Sequence, residues 1–208
     1  MITDGMNPLA ALLLLGAALT GVALACVYVV AKITKRAAAA SLTGRLLLGG
    51  AGVYVALLLV GSALSRSRVL APGEEKHICE IDCHLAYSVA AVKAESLGGG
   101  LVRHVVTVNV RFDEETISAR RSRTASLAPN SRYVALVDDA GHQYPGSTDG
   151  LTRRLIPGES YTTDIAFDVP LKATGLRLIL RNADPETHFV IGHENGFFHG
   201  TTTFALPS

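Results

Sequence analysis

Two long apolar runs open the chain, and no charged residue interrupts either of them. The first run covers residues 8–31 and the second covers residues 46–64. A helix over the first run rises about 36 Å, enough to cross a hydrocarbon core of about 30 Å. The pattern predicts two transmembrane helices, so the lipid bilayer is the first expected partner of this chain.

Basic residues indicate how the two helices are oriented. The segment 32–45 between the runs carries Lys32, Lys35, Arg36 and Arg45, whereas residues 1–7 carry neither Lys nor Arg. Short basic loops stay in the cytoplasm. We therefore expect 32–45 to be a cytoplasmic loop, and 1–7 and all residues after 64 to be extracytoplasmic. This arrangement is typical of a multi-pass protein of the bacterial inner membrane.

After residue 64 the hydrophobic period changes from that of a helix to two. Alternating runs separated by Gly, Pro, Asn and Asp turns occupy residues 81–89, 102–112, 133–137, 165–169, 176–180 and 201–206. Alternation of this kind predicts seven or eight short strands with one buried face. We expect a linker over 65–75 and an all-β domain over 76–208, built from two sheets packed face to face.

Three short motifs in this region carry a resemblance. LIPGES at 155–160, FDVP at 167–170 and the VDDAG hairpin at 137–141, which leads to Tyr144, are similar to motifs of immunoglobulin-like extracytoplasmic domains of uncharacterised function. Those domains often follow a bacterial membrane anchor. The resemblance covers about residues 102–180 and implies an immunoglobulin-like sandwich. The fold class it completes is two transmembrane α-helices followed by an all-β immunoglobulin-like sandwich.

Composition and charge narrow the possible functions. Hydrophobic residues make up 49% of the chain, and the mean hydropathy is +0.32. The value is high because the first 64 residues contain both apolar runs. Lys and Arg number 19 against 18 Asp and Glu, a net charge of +1. That balance argues against nucleic acid as a partner, because phosphate binding needs a basic excess. Signature motifs of hydrolases and phosphate-binding enzymes are also absent, so we do not expect an enzyme on its own.

Two segments of the β domain concentrate histidine and cysteine. HICEIDCH at 77–84 opens the domain, HFVIGHENGFFH at 188–199 closes it, and together they hold five of the seven histidines. In immunoglobulin-like sandwiches the first and last strands often pair, so the segments could meet. Thiolate and imidazole ligands suit copper or zinc. The predicted ligands are Cys79, Cys83, His84, His193 and His199, with Glu194 or Asp82 supplying an oxygen.

The layout also resembles subunit II of haem–copper oxidases, in which two helices precede a β domain that holds the dinuclear CuA centre. Cys79 and Cys83 match the Cys-x3-Cys spacing of that centre. The chain departs from the family elsewhere: Tyr87 stands where the family has His, Ala90 stands where it has Met, and the Cys pair opens the domain instead of closing it. The resemblance implies copper as the cofactor and electron transfer as the role.

The same cysteines admit a second interpretation, because extracytoplasmic cysteine pairs commonly form disulfides. On a regular strand, positions four apart have Cα atoms about 13 Å apart, so a disulfide needs the segment to bend. Two hypotheses stay open. The first is an anchored copper protein for electron transfer or copper handling, with another envelope or respiratory protein as partner. The alternative is a metal-free envelope interaction or assembly domain with a structural disulfide.

Overall fold

The computed structural model describes residues 2–5, 8–79, 83–118 and 121–207. The chain divides into two compact units. The sandwich unit comprises Met1–Gly5, Arg66–Pro185 and Thr201–Ser208, and the hairpin unit comprises Met6–Ser65 and Glu186–Gly200. The predicted fold class, two apolar helices followed by an all-β sandwich, is confirmed.

Two helices form most of the hairpin unit. They are α1 (Pro8–Ile33) and α2 (Ala37–Ala63), and both are long and apolar enough to cross a membrane. The helices pack closely near their connected ends, where Ala31 and Ala40 are buried. A side chain added at Gly44 would lie 3.4 Å from the Tyr28 ring, so this glycine allows the close approach. Most of the large apolar side chains of both helices are exposed, as expected of a lipid-facing surface, whereas Leu58 of α2 is buried.

The connection between the helices is shorter than the predicted loop over 32–45. Only residues 34–36 lie outside the helices, because α2 begins at Ala37 with four consecutive alanines, the best helix formers. Lys35 adopts a left-handed φ of 55°, and the Arg36 amide donates to the Ala31 carbonyl at 2.8 Å. These features turn the chain sharply, so the two helices run antiparallel.

Within the described residues, ten strands form the sandwich unit. They are β1 (Ile2–Gly5), β2 (Arg68–Leu70), β3 (Lys76–Cys79), β4 (Leu85–Gly98), β5 (Leu101–Phe112), β6 (Tyr133–Val137), β7 (Gln143–Pro145), β8 (Ser160–Pro170), β9 (Arg177–Arg181) and β10 (Thr202–Ala205). The first sheet has the order β1-β3-β4-β5-β8, and the second has the order β2-β10-β9-β6-β7. The β1–β3 and β2–β10 pairs are parallel, and the other pairs are antiparallel.

The hydrophobic core lies between the two sheets. Alternate residues of β5 point into it, and Val106, Val108, Val110 and Phe112 are completely buried. They belong to one apolar cluster with residues of both sheets, among them Leu136, Leu178 and Phe204. The period-two pattern of residues 102–112 therefore marks a core face, as the sequence predicted.

The pairing of the last strand differs from the expectation that placed residues 77–84 beside residues 188–199. Strand β10 pairs with β2 and β9, whereas β3, which carries His77 and Cys79, lies in the other sheet. Residues 188–199 form turns and not a strand, and they belong to the hairpin unit. The sequence expectation failed because a three-residue strand such as β2 leaves no periodic signal.

Candidate functional site

Cys79 and Cys83 lie where the chain reverses between β3 and β4. Cys79 ends β3, Cys83 precedes β4, and the two are joined in a disulfide with Cα atoms 4.2 Å apart. The reversal lets His77 pair with Ala86 across the antiparallel strands. The segment therefore bends as a disulfide requires, which is the second of the two interpretations that the sequence left open.

A connected series of charged and polar side chains lies on one face of the sheet that contains β3, β4 and β5. His77 on β3 and Arg111 on β5 both pair with Ala86, so they flank one position of β4. His77 Nε2 lies 3.1 Å from Asp113 Oδ2, and Arg111 Nη1 lies 3.3 Å from Asp113 Oδ1. Arg111 also donates twice to Glu75, at 2.8 and 2.6 Å. Imidazole, carboxylate and guanidinium groups thus join three chain segments.

Burial and hydrogen bonding act in opposite directions on Asp113. Burial raises the pKa of its carboxyl, but hydrogen bonds from His77, the Glu115 amide and Arg111 outweigh burial, so the pKa lies below its ordinary value. The hydrogen bond from Arg111 likewise lowers the pKa of Glu75. Both carboxylates stay ionised in the folded protein, and the cluster acts as a fixed array of paired charges.

His84 begins the chain segment that leads into β4. Its Nδ1 lies 2.6 Å from Thr116 Oγ1. Because that hydroxyl donates to the Asp113 carbonyl, the imidazole Nδ1–H donates to the hydroxyl. The ring stacks on Phe112 with centroids 5.6 Å apart. His84 therefore joins the start of β4 to the short 3₁₀ helix Glu114–Thr116, which follows β5.

The other predicted ligands, His193, Glu194 and His199, belong to the hairpin unit. His193 and Glu194 are buried, and His193 Nδ1 accepts from the Asn195 amide at 3.1 Å. His199 Nδ1 donates to the Gly200 carbonyl at 2.7 Å. Among the described residues, no group of three or more His, Cys, Asp or Glu side chains is arranged to hold a metal ion.

Copper binding by Cys79 and Cys83 stays a prediction. The oxidised sulfurs offer no thiolate, so a metal would need the reduced form of this pair. The disulfide between Cys79 and Cys83, with His77 and His84 close to it in sequence, fits a structural role, and this role does not require the pair to be reduced.

Lys76 and Tyr87 are two buried polar side chains beside this cluster, and the sequence predicted a hydrogen-bond partner for neither. Lys76 is fully buried, and its amine donates to the carbonyls of Leu180 at 2.8 Å and Thr202 at 3.5 Å, both in the opposite sheet. The Tyr87 hydroxyl donates to Asn130 Oδ1 and accepts from the Asn130 amide, each at 2.9 Å. For Lys76, the available signal was its position two residues before the apolar Ile78, on the same face of β3.

The far end of the first sheet carries exposed leucines. Three glycines with positive φ (Gly98, Gly99 and Gly100) turn β4 into β5, a conformation that side chains disfavour. Leu97 and Leu101 flank this turn and are each 42% exposed, and Leu171 is 72% exposed. The Leu171 amide donates to the Gly100 carbonyl at 2.8 Å, which joins the two loops. We call Leu97, Leu101 and Leu171 the apolar tip.

The fold and these features define a class: an apolar helical hairpin attached to a disulfide-bonded β-sandwich. No protein-family model matches the chain, and no curated protein matches it. The comparisons therefore give no support to the resemblance to haem–copper oxidase subunit II.

Solved β-sandwich structures do resemble part of the chain. A secreted protein from Mycobacterium tuberculosis has 15% identity and a TM-score of 0.44, over 69% of this chain and 99% of that one. An uncharacterised β-sandwich protein from Clostridium difficile has 11% identity and a TM-score of 0.40, over 69% and 96%. A conserved hypothetical protein from Bacillus anthracis has 15% identity and a TM-score of 0.32, over 53% and 92%.

Proposed function

We propose that the helical hairpin anchors this chain in the bacterial inner membrane and that its immunoglobulin-like sandwich binds another envelope protein outside the cytoplasm. The observation that carries this proposal is the apolar tip, because exposed leucines at the end of a preformed loop pair are typical of a binding surface. The disulfide stabilises the opposite end of the same sheet.

The connectivity of the chain supports this orientation. Strand β1 precedes α1 and pairs with β3, and β2 follows α2 within the same sandwich unit. Both ends of the hairpin therefore lead into one domain, which favours both ends lying on one side of the membrane. The connecting residues Lys32, Lys35 and Arg36 are basic, which favours the cytoplasmic side. A disulfide is typical of an oxidising extracytoplasmic compartment.

The surroundings of the apolar tip suit a protein partner. Two residue pairs along β5 and β8 from the Leu101–Pro170 pair at the turn, Arg103 and Asp168 form an exposed ion pair at 2.7 Å. An apolar centre with charged groups at its margin is the usual composition of a protein interface. The hydrogen bond between Leu171 and Gly100 holds both loops in place before any partner arrives, which lowers the ordering cost of binding.

The test uses the full chain in bacterial membranes, with a photo-crosslinking residue at Leu97 or Leu171 and a matched control at exposed Thr152. We expect one common adduct from both leucine positions and none from Thr152. The captured protein, once purified, should bind Leu171→Asp at least about tenfold more weakly than the wild type and should bind Thr152→Asp normally. Equal binding to both variants, or an adduct consisting of two copies of this chain, would overturn the proposal.

Copper handling is a second candidate, favoured by the closeness of Cys79 and Cys83 in the fold. Reduction would free two neighbouring thiols next to His84. Anaerobic copper titration of the reduced full chain should then give thiolate-to-copper absorption bands that vanish in Cys79→Ser and Cys83→Ser. If these bands are absent and no copper is retained, copper handling is excluded, and binding of an envelope protein remains the proposed function.

A further inference from the structure

The segment Glu186–Gly200, which we call the aromatic segment, lies along the last turns of α2 within the hairpin unit. Tyr54 donates from its hydroxyl to the Phe189 carbonyl at 2.8 Å. The Gly200 amide donates to Ser65 Oγ at 2.6 Å. Tyr54 and Ala63, the last residue of α2, are about 14 Å apart along the helix axis, and Ser65 lies two residues beyond that end. The segment therefore accompanies the last two to three turns of an apolar helix.

The approach to α2 is close because glycines line it. A side chain added at Gly61 would lie 3.1 Å from Ile191 Cγ2, and one added at Gly196 would lie 3.1 Å from Ser62 Oγ. Contacts of this kind are typical of segments packed against membrane helices, where small residues allow backbones to approach.

Burial within the aromatic segment is the reverse of that expected in water. The buried side chains include the polar residues Thr187, His193, Glu194 and Asn195. Three of the exposed side chains are aromatic: Phe189 is 54% exposed, Phe197 is 53% exposed and Phe198 is 84% exposed. Glu186, the first residue of the segment, is also exposed. Soluble surfaces bury phenylalanine and expose charged and amide side chains. Polar groups inside and aromatic rings outside are the arrangement that a lipid environment favours.

The polar groups of the segment are bonded to one another. Asn195 donates from its side chain to Thr187 Oγ1 at 2.8 Å and from its amide to His193 Nδ1. Asn195 also offers its carbonyl to His188 Nδ1. Successive turn hydrogen bonds link the backbone, including Gly196 to the His193 carbonyl at 2.8 Å. Irregular backbone is tolerated at membrane depth where the protein itself supplies partners for its polar groups, and these hydrogen bonds supply such partners within the segment.

Phe198 provides a separate observation. Its φ is 65°, a left-handed conformation that is unfavourable for a bulky residue. Packing of the side chain does not compensate for this strain, because the Phe198 ring is the most exposed aromatic side chain of the segment. Strained residues concentrate at functional positions, where another interaction compensates for the cost.

We infer that the aromatic segment lies in the outer leaflet of the bilayer beside α2, with Phe189, Phe197 and Phe198 against the acyl chains. The inference rests on the proposed membrane anchorage and adds a second membrane contact, formed by residues that lie between β9 and β10 in the chain. The segment thereby fixes the C-terminal part of the chain to the lipid surface independently of the covalent link at residue 65.

The absence of tryptophan from the sequence makes a direct test possible, because a single introduced tryptophan is the only indole in the protein. Phe197→Trp and Phe198→Trp report on the segment. Leu48→Trp, at an outward-facing position of α2, is the membrane reference, and Leu171→Trp, on the apolar tip, is the aqueous reference. The full-length variants are reconstituted in phosphatidylcholine vesicles whose acyl chains are brominated either near the headgroup or near mid-chain.

We expect the Phe197→Trp and Phe198→Trp emission to be blue-shifted and quenched, more by bromines near the headgroup than by those at mid-chain. Leu48→Trp should be quenched most by mid-chain bromines, and Leu171→Trp should not be quenched. Segment reporters that match Leu171→Trp while Leu48→Trp is quenched would overturn this inference and leave the anchorage intact. An unquenched Leu48→Trp would overturn the anchorage and this inference with it.

Discussion

At the scale of single residues, the buried polar groups define the end of the sandwich that carries the disulfide. Tyr87 is completely buried, and its hydroxyl bonds both the amide and the side chain of Asn130. Asn130 in turn donates to the Ile78 carbonyl of β3 at 2.8 Å. The alternation of β4 predicted that Tyr87 faces the core. Its partner lies 43 residues away in a loop, and no local pattern identifies such a pairing.

Tyr87→Phe should destabilise the sandwich by about 1–3 kcal/mol, because it leaves buried polar groups of Asn130 without a partner. The measurement is urea unfolding of the full chain in detergent micelles, followed by the circular dichroism of the β domain. Tyr133→Phe is the matched control, since its hydroxyl bonds Gln143 at an exposed position. Its expected effect is under about 0.5 kcal/mol. Equal effects of the two variants would contradict the role assigned to Tyr87.

The lowered pKa of Asp113 predicts that the stability of the fold depends on pH. Its hydrogen bonds hold the carboxyl pKa below the ordinary Asp value. A carboxylate of this kind stabilises the fold above its unfolded-state pKa of about 3.9, and that contribution is lost as the pH falls through the folded-state pKa. Asp113→Asn should therefore lower the unfolding free energy by about 1–3 kcal/mol near neutral pH and flatten its fall on acidification.

The control for Asp113 is Asp168→Asn. Hydrogen bonding to Arg103 also lowers the pKa of Asp168, but the two side chains are 43% and 45% exposed, so solvent screens the pair. Its loss should therefore affect the unfolding free energy less than the loss of Asp113 does. The assignment of Asp113 fails if its variant shows the same acid sensitivity as the wild type.

At the scale of elements, the sequence predicted the helices and strands that have a periodic hydrophobic pattern. It did not predict the short strands that form only by pairing with distant parts of the chain. The apolar runs predicted both helices, and the alternation at 102–112, 133–137 and 165–169 predicted β5, β6 and part of β8. The short strands β1 and β2 went unnoticed because each pairs in parallel with a segment far along the chain. The cysteine pair could not be assigned, because the strand period says nothing about the bend between residues 79 and 83.

The β3–β4 connection gives a prediction about the disulfide. A bridge between positions four apart closes a short loop, so its removal should cost about 2 kcal/mol. The double variant Cys79→Ala with Cys83→Ala should lose this amount in urea unfolding. Alkylation of the denatured wild type should modify one thiol, Cys26, before reduction and all three cysteines after it. Three modified thiols before reduction would show that the pair is not oxidised.

The aromatic segment shows what residue type alone does not reveal about a candidate site. His193, Glu194 and His199 looked like ligands because imidazole and carboxylate side chains were concentrated in a few residues. The structure places this segment with the helices, where Tyr54 and Ser65 bond its two ends. Sequence spacing reports neighbours along the chain, whereas the packing of residues 186–200 against α2 is a tertiary contact that no period encodes.

At the scale of the whole molecule, both ends of an apolar helical hairpin lead into one disulfide-bonded sandwich. Chain connectivity, the basic residues at the hairpin turn and the disulfide all favour the same orientation. The hairpin would hold the sandwich near the outer surface of the membrane, where the apolar tip is available to an envelope protein. Every functional proposal made for this chain requires that orientation.

The most direct test of this central claim is thiol labelling in intact bacterial spheroplasts with a membrane-impermeant maleimide. In a Cys26→Ser background, the remaining cysteines are held in the disulfide. One variant carries Thr152→Cys in the sandwich, and the other carries Lys35→Cys between the helices. We expect Thr152→Cys to be labelled at once and Lys35→Cys to be labelled only after permeabilisation. Labelling of Lys35→Cys in intact spheroplasts, or protection of Thr152→Cys, would contradict the account.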